Sequence, residues 1–253
     1  MDKHKVLELS GVGRNFGGLK AVDNVTMSVD GGTTHVIIGP NGAGKTTLFS
    51  LISGELELSS GQIRLFGEDV TRASATRRAR QGMSRTYQIT DVFTELTVEQ
   101  NLLLAIRGRS GSRLSLFKKD RPDESLNERI ARLLEKCGLL DRRLTRVGDM
   151  SYGEQRLLEL AIALANEPRI LLLDEPAAGL SPAERGPMAE TIRGLSGELT
   201  ILLIEHDMEL ALSLADQVTC LYYGALLATG TPAQIRADAK VQEVYFGGVL
   251  EHA

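Results

Sequence analysis

The sequence predicts an α/β protein built on a parallel β-sheet. Two apolar runs, RILLLDEP and TILLIEHD, are short, rich in branched residues and bounded by charge, as fully buried parallel strands are. A third, THVIIG, leads through a glycine-rich turn into a helical pattern, which gives a strand–loop–helix unit. Together these runs predict a parallel α/β sheet.

A second, smaller β layer is predicted at the N-terminal end of the chain. KVLELSG and VTMSVDGG have alternating character and flank the glycine-punctuated stretch GRNFGGLKAVDN. We expect these segments to form a small antiparallel layer. Toward the other end, QVTCLYYGALLATG predicts a hairpin and TPAQIRADAKVQEVYFGG a short helical tail.

The middle of the chain has helical spacing. Thr97 with Gln100, and Ser151 with Glu154, fit the capping-box pattern at a helix start. NERIARLLEKCGLL places its apolar residues on one helical face, and Gly138 follows as a cap. The basic, Ser/Gly-rich piece RGRSGSRLSLFKKDRPDE predicts a mobile loop, to which we assign no chemistry.

These patterns divide the chain into a core, an inserted subdomain and a tail. We expect a core at 1–90 and 166–235 that includes the β layer, an inserted helical subdomain at 91–165, and a C-terminal tail at 236–253. The length of 253 residues fits one large α/β domain with a smaller inserted lobe.

Composition and charge exclude several classes of protein. Hydrophobic residues make up 42% and charged residues 25%, so the chain is globular rather than disordered. A net charge of −4 gives no general attraction to nucleic acid. The N-terminal MDKHKVLELSG lacks a signal-peptide core, and no apolar run approaches the roughly 18 to 20 residues that span a bilayer, so we expect a soluble or peripheral protein. Cys137 and Cys220 have no CxxC partner, which indicates reduced core residues of a cytosolic protein.

The most specific motif is GPNGAGKT, which matches GxxxxGK[ST] between a strand and a helix. Its glycines let the loop curl so that backbone N–H groups point at the β-phosphate. Lys45 supplies positive charge to the β and γ oxygens, and the Thr46 hydroxyl suits Mg²⁺. An ordinary glycine turn is the alternative, but pattern and context together predict binding of a nucleoside triphosphate. The expected nucleotide-binding residues of this loop are Gly39, Asn41, Gly42, Ala43, Gly44, Lys45, Thr46 and Thr47.

A pair of acids, Asp174 and Glu175, ends the apolar run of RILLLDEP. Ligands bind at the carboxyl edge of a parallel sheet, where an Asp can hold Mg²⁺ through water. A second carboxylate can polarise an attacking water, an effect of about 10² to 10⁴ in rate. Two adjacent acids could also form a solvated turn, but the phosphate loop upstream favours the catalytic interpretation.

The motifs occur in a specific order: the phosphate loop, RTYQ, MSYGEQR, LLLDEP, AAGLS and LLIEHD. This ordered set resembles the ATP-binding-cassette (ABC) ATPase subunits over essentially the whole chain. GGLKAVDNV, SYGEQRLLELAIAL, DEPAAGLSP and EVYFGG most resemble the ATPases of branched-chain amino-acid (Liv-type) importers, and the loop after LLLAIRG resembles the longer of their two paired ATPases. Urea and short-amide importers use very similar subunits and remain the alternative.

The resemblance implies a P-loop NTPase (RecA-like) core and a role for several residues. Phe16 matches an aromatic that stacks on adenine, with packing under the β layer as the alternative. Gln88 matches the residue that contacts Mg²⁺ and links the core to the helical lobe, and His206 matches the switch histidine near the γ-phosphate. The implied catalytic residues are Lys45, Gln88, Glu175 and His206, and the implied Mg²⁺ residues are Thr46, Gln88 and Asp174.

The resemblance also implies partners. Two ATPase subunits, identical or different, pair head to tail, so that Ser151, Gly153 and Glu154 of one face the nucleotide on Lys45 of the other. ATP then bridges the pair and favours the closed dimer, and hydrolysis reopens it. The other implied partners are two membrane permease subunits and, indirectly, a periplasmic or extracellular substrate-binding protein, with no nucleic acid. The chain would act peripherally on the cytoplasmic face of the cell membrane.

Two positions depart from the common family pattern. The usual LSGGQ reads MSYGE here, which puts the Tyr152 side chain beside the ATP, and Ser181 replaces the Asp that often ends the D-loop. A soluble ABC ATPase acting on ribosomes or DNA and a phosphate-loop kinase are the competing interpretations. The Arg-rich TRASATRRARQGMSR is interpreted as the solvated face of a helix rather than a nucleic-acid site.

Overall fold

The computed structural model describes residues 4–86, 92–109 and 124–246. They form two compact units, which we call the sheet unit and the helical unit. The sheet unit comprises Met1–Arg85, Arg169–Glu175 and Ser196–Ala253, and the helical unit comprises Thr86–Pro168 and Pro176–Leu195. Residues 176–195 therefore cluster with the helices, whereas the domain boundaries expected from the sequence placed them with the core. Those boundaries remain a prediction.

The strands of the described residues all belong to the sheet unit. In chain order they are β1 (Lys5–Phe16), β2 (Leu19–Asp30), β3 (Thr34–Ile38), β4 (Ser60–Leu65), β5 (Glu68–Asp69), β6 (Met83–Arg85), β7 (Ile170–Asp174), β8 (Thr200–Ile204), β9 (Gln217–Tyr222) and β10 (Ala225–Gly230).

The main sheet has six strands in the order β10-β9-β3-β8-β7-β6. Its neighbours pair in parallel except β9 with β10, which form an antiparallel hairpin. Every residue of β3, β7 and β8 is buried, as expected for central parallel strands. The predicted parallel sheet and hairpin are confirmed. The edge strand β6 was not predicted, because three residues are too few to show a pattern.

The smaller sheet is antiparallel, in the order β2-β1-β4-β5. This confirms the predicted N-terminal layer. Strands β1 and β2 are longer than the sequence predicted. The glycine-rich stretch between the two predicted segments also pairs, with shifts of register at several positions. One apolar core contains side chains from this layer, from the helix after β3 and from the main sheet.

The helices follow in chain order. They are α1 (Lys45–Ser53), α2 (Ala75–Arg80), α3 (Val98–Arg109), α4 (Glu124–Lys136), α5 (Tyr152–Leu164), α6 (Pro182–Leu195), α7 (Met208–Leu214), α8 (Pro232–Ala237) and α9 (Ala239–Phe246). The predicted helical tail consists of α8 and α9. Among the described residues, no helix has both the length and the apolar character needed to cross a bilayer.

The helical unit contains α3 to α6. Both predicted capping boxes form: Thr97 and Gln100 bond reciprocally at 2.9 and 3.2 Å ahead of α3, and Ser151 and Glu154 do so at 2.9 and 3.2 Å ahead of α5. After α4, Gly138 has a φ of 67°, as a helix cap requires. Most of the predicted mobile loop lies outside the described residues.

One arginine of the Arg-rich segment is not solvated. Arg78 on α2 is 1% exposed, whereas its neighbours Arg77 and Arg80 are exposed. Its guanidinium donates to the carbonyl oxygens of Leu51, Ile52, Val70, Thr71 and Ala73. The interpretation of this run as a solvated face is thus wrong at Arg78, which ties the carboxyl end of α1 to the segment before α2. Cys137 and Cys220 are free and buried, as predicted.

Candidate functional site

The loop between β3 and α1 carries the phosphate-loop motif. Gly39 and Gly44 have φ values of 155° and 96°, a region that L-residues with side chains rarely adopt. A Cβ at Gly44 would overlap the carbonyl oxygen of Ala21, and one at Gly39 would overlap that of Leu221. Glycine is therefore required at both positions. Since the N-cap Gly44 has no side chain to cap α1, the first N–H groups of this helix point into the loop and suit an anion.

Lys45 is the first residue of α1 and is only 6% exposed. Its Nζ donates to the carbonyl oxygens of Gly39 at 2.6 Å and Pro40 at 3.1 Å. Burial lowers the pKa of Lys45, and the nearby carboxylates of Glu175 and Asp174 oppose this shift. The carbonyl oxygens of Gly39 and Pro40 thus hold the ammonium inside the loop. Phosphate oxygens can take their place as acceptors.

Asp174 ends β7 and is 2% exposed. Its Oδ2 accepts a hydrogen bond from Nη2 of Arg85 at 3.0 Å. Its Oδ1 is buried and has no hydrogen-bond partner within the described part of the chain. Burial raises the pKa of Asp174, and the Arg85 guanidinium opposes the shift. An unpaired buried oxygen at the carboxyl edge of a parallel sheet suits a water molecule of hydrated Mg²⁺.

Glu175 and His206 come together at the same edge of the sheet. Glu175 Oε2 lies 3.6 Å from His206 Nδ1. Glu175 has a φ of 50°, and its N–H donates to the Ile204 carbonyl at 3.0 Å. A left-handed backbone at a non-glycine residue costs on the order of 1 to 3 kcal/mol and occurs often at functional sites. The structure thus juxtaposes two of the predicted catalytic residues.

Phe16 ends β1 and is 44% exposed. The Arg14 guanidinium carbon lies 4.7 Å from the centroid of the Phe16 ring. A half-exposed ring does not match the alternative in which Phe16 packs beneath the β layer. It suits stacking on a nucleobase.

The motif MSYGE begins α5 in the helical unit. Ser151 is the N-cap, and Glu154 also accepts a hydrogen bond from Arg142 Nε at 2.7 Å. Tyr152 is 42% exposed, and its ring packs against Gly179 in the segment before α6. The Gly153 N–H donates to Oε1 of Glu184 at 2.9 Å.

The remaining predicted site residues are less informative. Gln88 lies outside the described residues, and Asn41 and Thr46 are exposed.

Sequence reasoning missed Arg85 and Glu184. The spacing of Ser181 and Glu184 is itself a capping-box signal, whereas nothing local distinguishes Arg85 within an arginine-rich segment. Among the described residues, no group of three or more His, Cys, Asp or Glu side chains could hold a metal ion.

The sequence profile of the ABC transporter family matches residues 22–178. The chain belongs to the ABC transporter family. A second profile, that of the branched-chain amino acid ATP-binding cassette transporters, matches residues 225–250. The sequence-based identification of the chain as an ABC ATP-binding subunit, and the P-loop α/β fold expected with it, are confirmed. The chain binds ATP, and its family couples ATP hydrolysis to transport.

Similar proteins cover nearly the whole chain. BraF of Pseudomonas aeruginosa, a high-affinity branched-chain amino acid transport ATP-binding protein, is 41% identical over 96% of this chain and 98% of its own. LivG of Escherichia coli, with the same description, is 39% identical over 96% and 98%. The ADP conformation of MJ1267, an ATP-binding cassette of an ABC transporter, superposes with a TM-score of 0.84 at 30% identity, covering 96% of this chain and 99% of MJ1267.

Proposed function

We propose that this chain is the ATP-hydrolysing motor of an importer for branched-chain amino acids. It works peripherally on the cytoplasmic face of the cell membrane, bound to two permease subunits and a second ATPase subunit that is either identical or different. A substrate-binding protein outside the membrane delivers the cargo. The identity of 41% to BraF over nearly full length and the profile match at 225–250 support the amino-acid substrate.

The sheet unit supplies the residues that bind ATP. The N–H groups at the start of α1 and the Lys45 ammonium bind the β- and γ-phosphates, and Lys45 exchanges the Gly39 and Pro40 carbonyls for phosphate oxygens. The half-exposed ring of Phe16 stacks on the adenine. Thr46, Asp174 and Gln88 would hold Mg²⁺, which neutralises negative charge on the phosphates when bound.

The contact between Glu175 and His206 supports hydrolysis at this site most directly. Glu175 accepts a proton from a water molecule as the water oxygen bonds to the γ-phosphorus. The bond between that phosphorus and the bridging oxygen breaks, and ADP leaves with the electron pair. His206, at 3.6 Å from Glu175, lies close enough to orient the γ-phosphate while Glu175 faces the water.

Pairing of two ATPase subunits completes the site. Ser151 and Gly153 at the start of α5 face the γ-phosphate held by the partner subunit's phosphate loop. The partial positive charge at the N-terminus of this helix attracts that phosphate. ATP therefore favours the closed pair by binding to both subunits. Its hydrolysis releases them, and the resulting motion is passed to the permeases.

Reconstitution tests this proposal. The chain is purified with the membrane proteins that bind it, incorporated into vesicles with ATP, and supplied with the matching substrate-binding protein. We expect uptake of labelled leucine, isoleucine and valine that stops in the variant Lys45→Ala. Uptake of urea or acetamide instead would favour the urea and short-amide alternative. Failure of the chain to bind any membrane protein would contradict the proposed transport role.

A further inference from the structure

A carboxylate of α6 lies at the N-terminus of α5. Oε1 of Glu184 accepts a hydrogen bond from the Gly153 N–H at 2.9 Å. Its other oxygen, Oε2, accepts from the Ser181 N–H at 3.0 Å and from the Ser181 hydroxyl at 2.7 Å. All three residues belong to the helical unit, so one side chain joins the motif MSYGE to the segment AAGLS.

The fit between Gly153 and Glu184 is close. A Cβ at Gly153 would lie 2.7 Å from Oε1, 2.8 Å from Cγ and 2.9 Å from Cβ of Glu184, which real Cβ atoms do not tolerate. Glycine at this position therefore allows the carboxylate to reach the helix end. The ring of Tyr152, the preceding residue, packs against Gly179 in the segment before α6.

Glu184 is an anion under all physiological conditions. Hydrogen bonds from the side chain and backbone of Ser181, and then from the backbone of Gly153, lower the pKa of Glu184 to about 2. An anion at a helix N-terminus interacts favourably with the partial positive charge of that end. The same N–H and the same partial charge are what the γ-phosphate of a partner subunit would use.

We infer that Glu184 is an internal competitor for the partner subunit's γ-phosphate, occupying the Gly153 N–H until ATP displaces it during pairing. This inference rests on the proposed function, which brings that phosphate to the start of α5. A single N–H cannot bond fully to both acceptors, and the two anions repel each other. Glu184 must therefore move away when the nucleotide site closes.

Displacement of Glu184 from Gly153 also affects its hydrogen bonds with Ser181. Because one carboxylate bonds both Gly153 and Ser181, its departure from Gly153 also changes the hydrogen bonds that hold the segment before α6. Closure at the phosphate is thereby transmitted to the segment AAGLS of the same subunit. Ser181 replaces the usual Asp here, and its hydroxyl is able to donate to Glu184, which an ionised Asp side chain could not do.

The first test uses the full chain alone and needs neither pairing nor hydrolysis. The amide signal of Gly153 is followed by ¹⁵N NMR while inorganic phosphate is added. In Glu184→Gln and Glu184→Ala, we expect phosphate to shift this signal at a concentration about tenfold lower than in the wild type, the effect of removing one charge-assisted competitor. Glu190→Gln, at an exposed position of α6, should behave as the wild type. Equal phosphate dependence in all four proteins would overturn the inference.

Comparing Glu184→Gln with Glu184→Ala distinguishes competition with phosphate from structural support of the helix end. Glu184→Gln keeps the size and an acceptor oxygen of the side chain, so the fold and the cap of α6 persist, whereas Glu184→Ala removes both. If Glu184 only supports the helix end, Glu184→Ala broadens or displaces the Gly153 signal without tightening phosphate binding, and Glu184→Gln has no effect. That pattern would also overturn the inference.

The second test measures ATP-driven pairing in a Glu175→Gln background, with the chain and the ATPase subunit that pairs with it. Adding Glu184→Gln should lower the ATP concentration for half-maximal association about tenfold. A rise in that concentration would contradict competition. If Glu175→Gln alone does not associate at any ATP concentration, the proposed pairing fails, while the NMR titration still decides whether Glu184 excludes phosphate from Gly153.

Discussion

The guanidinium of Arg85 lies 3.0 Å from the carboxylate of Asp174, and the two side chains are 8% and 3% exposed. The same guanidinium pairs with Glu55 at 2.8 Å and donates to the hydroxyls of Ser50 and Ser53 at the end of α1. Arg85 thus connects the helix that follows the phosphate loop to the carboxylate expected near Mg²⁺. It leaves Oδ1 of Asp174 as the oxygen that would accept from a metal-bound water in the proposed site.

Replacing Arg85 should weaken both the fold and the metal site. Removing one partner of a buried ion pair leaves the other charge uncompensated, so Arg85→Gln should lower the free energy of unfolding by about 3 kcal/mol. It should also weaken Mn²⁺ binding to the ATP complex, measured by electron paramagnetic resonance without turnover, because Asp174 loses its fixed orientation. Arg80→Gln, at an exposed position of α2, is the control. Equal stability and Mn²⁺ affinity in both variants would refute this role.

Arg78 should be essential for stability, because it holds the end of α1 to the segment before α2. In Arg78→Met, the carbonyl groups at the end of α1 and before α2 lose the guanidinium donor, while those of Leu51 and Val70 keep the N–H groups of Gly54 and Ala73. We expect the free energy of unfolding to fall by about 3 kcal/mol, since a buried hydrogen bond from a charged donor contributes about 1.5 to 3 kcal/mol. Urea unfolding of Arg77→Met, on the exposed face of the same helix, provides the comparison. A loss of similar size in both variants would mean that α2 itself, not the buried guanidinium, is responsible.

Buried His35 should make the protein sensitive to mild acid. Burial lowers the pKa of His35 from 6.5 to about 4, and the ring is hydrogen-bonded to the Thr219 hydroxyl at 2.8 Å. The unfolded chain therefore takes up the proton first, so stability is complete above about pH 6.5 and is lost as the pH falls toward about 4. Between roughly pH 7.5 and pH 5 this amounts to about 2 kcal/mol. In His35→Gln, the loss measured by urea unfolding over the same pH range should be smaller by that amount, and an identical pH profile would refute the assignment.

The exposed ring of Phe16 should contribute to nucleotide affinity. Stacking of a base on an aromatic side chain contributes about 1 to 3 kcal/mol, so Phe16→Ala should weaken ATP binding about fivefold or more. Phe16→Tyr keeps the ring and should retain the affinity. Leu19, across the turn and 67% exposed, supplies the control variant Leu19→Ala. Calorimetric titration that finds the same affinity in Phe16→Ala and the wild type would remove Phe16 from the site.

Local patterns predicted much of this fold. The buried strands β3, β7 and β8 and both capping boxes could be predicted from the sequence. They depend on residues within one short segment: an apolar run for each strand, and Ser or Thr three positions before Glu or Gln for each cap. The burial of Arg78 could not be predicted, since its partners come from segments as many as 27 positions away. The contacts of Arg85 with Asp174 and of Glu184 with Gly153 likewise depend on tertiary packing, across 89 and 31 positions.

In the proposed mechanism, the phosphate loop binds ATP and Glu175 activates the water that cleaves it. Equilibrium ATP binding and steady-state hydrolysis are measured side by side for the wild type, Glu175→Gln and Lys45→Ala, each assembled with its transporter partners. We predict that Glu175→Gln keeps the ATP affinity of the wild type and loses about 10² to 10⁴ in hydrolysis rate, whereas Lys45→Ala loses binding. Hydrolysis by Glu175→Gln near the wild-type rate, with binding intact, would show that Glu175 does not activate the water.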